Sequence, residues 1–188
     1  MKELSLHILD LVQNSISAEA TLVEIKIEED LVKDLLTIVI NDNGKGMNEE
    51  LLKKVKDPFV TTRTSRRVGL GISLMLAACQ LCDGDLTITS EVNVGTKLSA
   101  YFRHSHIDRV PIGNMVETMI SLILCSTYTD FLYKHSINNR ESGLREFCFD
   151  TREVKQVLGE DVSLSEPDVL NWIKDYMTEG LSNISGGV

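Results

Sequence analysis

Apolar positions along the chain change period, and the changes mark out its elements. Leu4, Ile8, Leu11, Val12 and Ile16 recur at helical spacing, which predicts an amphipathic helix over residues 4–18. From residue 22 the period falls to two: Val23, Ile25 and Ile27 alternate with Leu22, Glu24 and Lys26, the pattern of a half-buried strand. After a polar turn, the run LLTIVI is β-branched enough to be a central strand, and it leads into NDNGKGM. A short helix at about 48–55, a turn at Asp57-Pro58-Phe59 and the polar segment TTRTSRR precede GLG and a strongly apolar helix to about residue 81, which Gly84 ends. LTITS and KLSAYF, on either side of a turn at 93–95, form a second hairpin.

The character changes after residue 104. Pro111 precedes a helical run to about 125, then two strands, FLYKHSI and LREFCF, joined by the turn-rich NNRESG. A short helix after Asp150 and a longer one over 165–181 close the chain, with Ser165 and Asp168 as the start signal of the second. A boundary near 104 divides residues 1–104 from an appendage, residues 105–188. The appendage holds seven basic and thirteen acidic residues and no catalytic motif.

Charge and composition narrow the function. The net charge of -9 argues against a nucleic-acid binder, which needs clustered Lys and Arg. One stretch runs the other way: residues 45–67 hold seven Lys or Arg against three acidic residues, a local pull on a small anion. No apolar run approaches the roughly 20 residues of a membrane span, and the start lacks a signal-peptide cleavage pattern, so a cytoplasmic protein with no membrane contact is expected. Four Cys in 188 residues are too sparse for a disulfide framework, and reduced thiols are expected.

The chemistry-bearing residues come in a fixed order: Asn14 on the first helix, Asp42-x-Gly44-x-Gly46 after a strand, Gly69-Leu70-Gly71 opening a helix, and Gly95-Thr96 beginning a strand. Each piece alone also fits an ordinary turn or helix entry. A carboxylate at a buried strand end accepts an exocyclic amine of adenine, while Gly44 and Gly46 allow close backbone approach to the ring. Gly69 and Gly71 permit a tight turn into a helix whose first N–H groups cradle phosphate. Asn14 supplies a neutral oxygen, sufficient for Mg²⁺, which takes its other ligands from phosphates and water.

This set resembles the GHKL superfamily, the Bergerat-fold ATPases shared by DNA gyrase, a heat-shock chaperone, histidine kinases and a mismatch-repair ATPase. The resemblance covers about residues 4–103. LDLVQNSISAEATLVEIKI is similar to the Asn box of the mismatch-repair ATPases, and DPFVTTR with VGLGISLM is similar to the lid and glycine box of histidine kinases. It implies an α+β chain, a Bergerat-type two-layer sandwich of a mixed sheet covered by helices, with a smaller α/β appendage. It further implies that ATP and Mg²⁺ are the ligands, with Asn14 on the metal. Asp42 and Thr96 would face the adenine, Met47 would also bind the cofactor, Phe59, Thr61, Thr62 and Arg63 would lie in a lid, and Gly69, Leu70 and Gly71 at the phosphates.

Two departures bear on activity. Hydrolysing members commonly carry Glu four residues before the Asn, where this chain has Asp10; the side chain one methylene shorter implies slow turnover, because catalysis is sensitive to displacements of about 1 Å. Only thirteen residues precede Asn14, too few for the phosphoacceptor helices of a sensor kinase, so a stand-alone ATP-binding domain is expected. A P-loop is absent, and GLG lacks the third glycine of a dinucleotide fingerprint. Cys79 and Cys82 read as core residues, His104 and His106 as non-ligands without a third partner, and His7 as a helix-surface or core-edge residue. Three functions share the pocket: an ATP-hydrolysing switch, a kinase acting in trans on a partner protein, and a non-catalytic ATP sensor. The appendage reads as a partner-binding or dimerising element.

Overall fold

Twelve elements occupy residues 2–56, 70–159 and 162–186, the parts of the chain that the computed structural model describes. They are α1 (Leu4–Ser17), β1 (Leu22–Asp30), β2 (Leu35–Asp42), α2 (Glu49–Lys56), α3 (Leu70–Leu81), β3 (Asp85–Glu91), β4 (Gly95–Arg103), α4 (Met115–Cys125), β5 (Asp130–Asn139), β6 (Gly143–Asp150), α5 (Thr151–Leu158) and α6 (Pro167–Ser185).

The strands form one mixed sheet in the order β3-β4-β2-β1-β5-β6. Neighbours are antiparallel except β1 and β5, which run parallel from Leu22 opposite Asp130 to Asp30 opposite Asn138. β2 is central, as its β-branched run predicts. The period-two alternation becomes two unlike faces: Val23, Ile25 and Ile27 of β1 are fully buried with Leu36 and Ile38 of β2, while Leu22, Glu24 and Lys26 stay half-buried on the other face. Each such side chain, when fully buried, contributes about 1.5–3 kcal/mol.

α1, α3, α4 and α6 form the second layer and pack on one another as well as on the strands. α1 has no side-chain cap at its start; instead Leu4 and Ser5 donate their backbone N–H groups to the carbonyls of Pro111 and Ile112, beyond β4. Residues 130–150 thus extend the sheet that β1 to β4 begin. α4 buries Met115, Val116, Met119, Leu122 and Ile123 between α1 and α6.

Some local details differ from the sequence reading. α6 begins at Pro167 with Glu166 at its cap position and no side-chain cap bond, while the Ser163 and Ser165 hydroxyls bond each other. α3 ends at Leu81, and the left-handed residue after it is Asp83 (φ 54°). Gly84 serves close packing instead: a Cβ there would lie 1.8 Å from the Tyr101 carbonyl oxygen.

Candidate functional site

Asp42 is the last residue of β2 and lies on the same buried face as Leu36, Ile38 and Ile40. Its Oδ2 accepts a hydrogen bond from Ser15 Oγ of α1 at 2.6 Å. Its Oδ1 accepts from the backbone N–H groups of Gly44 at 3.0 Å and Thr96 at 3.2 Å. One carboxylate therefore joins α1, the loop after β2, and the start of β4.

The glycines around it allow backbone to meet backbone. A Cβ at Gly44 would sit 2.8 Å from the Ala18 carbonyl oxygen, and Lys45 N–H donates to that same oxygen. Gly46 (φ 63°) leaves 1.9 Å between such a Cβ and the Glu91 carbonyl oxygen, and Gly95 (φ 136°) leaves 1.9 Å to that of Asp42. Ser90 Oγ accepts from Met47 N–H at 2.8 Å, donates to the Gly95 carbonyl at 3.0 Å and lies 2.9 Å from Thr96 Oγ1. Met47 and Thr96 are thus held on one hydroxyl.

Opposite this loop cluster, α1 meets the first turn of α3. A Cβ built on Gly71 would lie 3.5 Å from Asp10 Cβ and 3.9 Å from Asn14 Nδ2. Asp10 is exposed and Asn14 half-buried, one helical turn apart on α1. Leu70 opens α3, whose first backbone N–H groups lack intrahelical partners. Phe59, Thr61, Thr62, Arg63 and Gly69 lie outside the described residues. A depression of about 470 Å³ is lined by Asn41, Asp42, Asn43, Ser90, Gly95 and Thr96 and reaches Leu22 and Leu132 on the helix-free face. A larger cavity of about 710 Å³, between α4, β5 and α5, contains none of the predicted site residues.

Ser15 and Ser90, which motif reading does not single out, hold Asp42, Met47 and Thr96 in place, and Gly95 stands beside them as the sequence set places it. The signal for the two serines lies in the pattern. Ser15 continues the apolar stripe of Leu4, Ile8, Leu11 and Val12, and Ser90 follows buried Ile88 on the inner face of β3. A hydroxyl on a buried stripe needs a hydrogen-bond partner.

The remaining chemistry-bearing side chains lie elsewhere. Glu29 accepts from His135 Nε2 at 2.8 Å and His104 Nε2 at 2.9 Å, and the Tyr133 hydroxyl is hydrogen-bonded to His135 Nδ1 at 2.9 Å. Burial raises the Glu29 carboxyl, but the two imidazole hydrogen bonds and charges overcome it and hold the pKa at about 2. Among the described residues no cluster of three or more His, Cys, Asp and Glu side chains is arranged to hold a metal. Cys79 and Cys82 are buried, and burial pushes the Cys79 thiol up to about 12. His7 is fully packed where a surface or core-edge position was expected. Its Nδ1 has no hydrogen-bond partner, and burial lowers its pKa.

The family profile described as "Histidine kinase-, DNA gyrase B-, and HSP90-like ATPase" matches residues 2–106. A probable C4-dicarboxylate sensor kinase of Halalkalibacterium halodurans is 34% identical over 68 residues, 36% of this chain and 13% of that protein. The sensor protein DegM of a Bacillus species is 32% identical over 91 residues, 48% of this chain and 24% of that protein. The chain thus spans at most about a quarter of either relative's length. Among solved structures, the N-terminal domain of a DNA repair protein superposes with a TM-score of 0.53 at 15% identity, covering 85% of this chain and 58% of that one. That last likeness is one of fold.

Proposed function

The chain belongs to the histidine kinase-, DNA gyrase B- and HSP90-like ATPase family, and from that membership we propose that it is a cytoplasmic Mg-ATP-binding switch with slow ATPase activity. The observation that carries this reading is the environment of Asp42. An ionised carboxylate offers about four lone-pair directions. Ser15, Gly44 and Thr96 take three of them, both on Oδ1 and one on Oδ2. The direction left on Oδ2 is suited to the exocyclic amine of adenine. Guanine presents a carbonyl there, setting acceptor against acceptor, an arrangement that a site built for hydrogen bonding rejects strongly.

The junction of α1 with the start of α3 suits phosphates. α3 begins at Leu70, and a helix N-terminus favours anions. The Asn14 amide, next to Gly71, is a single neutral oxygen ligand of the kind Mg²⁺ takes alongside phosphate and water. The metal, when bound, would neutralise phosphate charge. Asp10, exposed one turn before Asn14, is the residue that would orient the attacking water. In this reading residues 105–188 serve as the partner-binding or dimerising element.

Calorimetry tests the assignment: ATP with Mg²⁺ is expected to bind and GTP is not. Asp42→Asn, which keeps the size of the side chain, is expected to lose ATP while retaining its fold by circular dichroism. Comparable affinity for GTP, or wild-type affinity in the variant, would place the pocket elsewhere. A second reading, transfer of the γ-phosphoryl group to a partner protein, is favoured by the sensor-kinase names of the relatives. Incubation with γ-labelled ATP and host lysate separates the two, since a switch releases free phosphate and a kinase leaves label on protein.

A further inference from the structure

We propose that the exposed aromatic face of α6 is a docking surface for a basic segment of a partner protein, one that presents Arg or Lys side chains. The proposal names the surface that the regulatory reading requires, and it makes no use of the nucleotide site. Trp172 is the chain's single tryptophan, yet it is 52% exposed and stacks on Tyr176, with ring centroids 5.3 Å apart and planes 12° from parallel. Tyr176 is 44% exposed and rests on Phe147 and Phe149 of the edge strand β6, at 5.7 and 6.4 Å. Phe147 in turn meets fully buried Tyr133 at 6.4 Å. The aromatic shelf is therefore anchored through successive rings to the core, and its side chains have little freedom left to lose on binding.

Its surroundings determine the sign of the partner. Asp168, Asp175 and Glu179 lie four residues before, three after and seven after Trp172, so they share its side of the helix, and all three are exposed. None of them makes an ion pair or a side-chain hydrogen bond among the described residues. Lys174, the only basic residue of α6, is engaged by Glu117 of α4. The face thus offers aromatic π-surfaces and carboxylates outside any ion pair, while the two nearest cations are engaged, Lys174 by Glu117 and Arg145 by the Asn183 carbonyl. A guanidinium or ammonium group satisfies both features at once, lying over a ring while pairing with a neighbouring carboxylate. Nucleic acid and anionic lipid are repelled by the same charges. Two copies of this face would also repel each other, which excludes a symmetric dimer through it.

The test uses the full chain and a short fluorescein-labelled peptide of alternating Arg and Leu, with a Glu-for-Arg counterpart as control. The Arg peptide is expected to bind saturably, to change the emission of Trp172, and to weaken as salt rises. By peptide anisotropy, Trp172→Ala is expected to weaken binding about 10-fold, the scale of an interface anchor. The triple variant Asp168→Asn, Asp175→Asn, Glu179→Gln, which alters only exposed side chains, is expected to do the same with an unchanged melting curve. Asp42→Asn should keep the peptide, so loss of the ATP assignment would leave this proposal standing. Absence of saturation overturns it, as does equal affinity in wild type and both variants, which would mean attraction to net charge alone. Concentration-dependent self-association that Trp172→Ala abolishes would also overturn it, because the occupant would then be a second copy.

Discussion

At the scale of single residues, Ser15 shows how a site is held from beneath. Its hydroxyl is buried and gives Asp42 the shortest of its three hydrogen bonds. A hydrogen bond to a charged group contributes about 1.5–3 kcal/mol, so Ser15→Ala is expected to lower stability by about that amount in urea unfolding. It should also weaken ATP binding, because the carboxylate loses a bond that orients it. Unchanged affinity would mean that Gly44 and Thr96 suffice. Asp10 acts on rate instead: Asp10→Asn is expected to reduce phosphate release by about 10²-fold, the scale of a positioned base, while Asp10→Glu, which restores the longer carboxylate, matches or exceeds wild type. Equal release by all three proteins would remove Asp10 from the mechanism.

At the scale of elements, the Glu29 cluster ties β1 to β5 and to the chain leaving β4, at the opposite end of β1 from Asp42. The Glu29 carboxyl has a folded pKa of about 2 against an ordinary 4.5. A depressed carboxylate pKa contributes stability that is full above the unfolded value and is lost as pH falls toward the folded one. Wild type is therefore expected to lose this contribution between about pH 4.5 and 2. Glu29→Gln should start less stable at neutral pH and show a shallower fall over that window. Parallel stability profiles from thermal melts at stepped pH would show that the imidazoles do not hold the carboxylate.

At the scale of the whole molecule, the question is whether residues 105–188 can be removed. β5 covers the full length of β1, and α4 lies on α1 and α6. A chain ending at residue 104 would leave β1 as an edge strand and uncover the faces that Phe131, Tyr133, Met119 and Leu122 now bury. Exposed apolar edges of this kind pair with other chains. The truncated protein is expected to be insoluble. A soluble fragment that binds ATP would show instead that residues 1–104 fold alone.

Periodicity, β-branched content and turn residues predict the helices and strands, because which face of an element is buried is written locally, every two residues in a strand and every three or four in a helix. The ordered set of Asn14, Asp42-x-Gly44-x-Gly46, Gly69-Leu70-Gly71 and Gly95-Thr96 points to the family for a similar reason: strand end, tight turn and helix start are short-range features. Partners across the chain were decided only by tertiary structure. Ser15 reaches Asp42 over 27 positions and Thr96 over 54, and β5 chooses β1 as its parallel neighbour over more than 100. No local pattern distinguishes one buried strand edge from another. The same holds for Trp172, whose helical spacing says which side of α6 it occupies but not that this side faces water, since that depends on where β6 and α4 leave the helix uncovered.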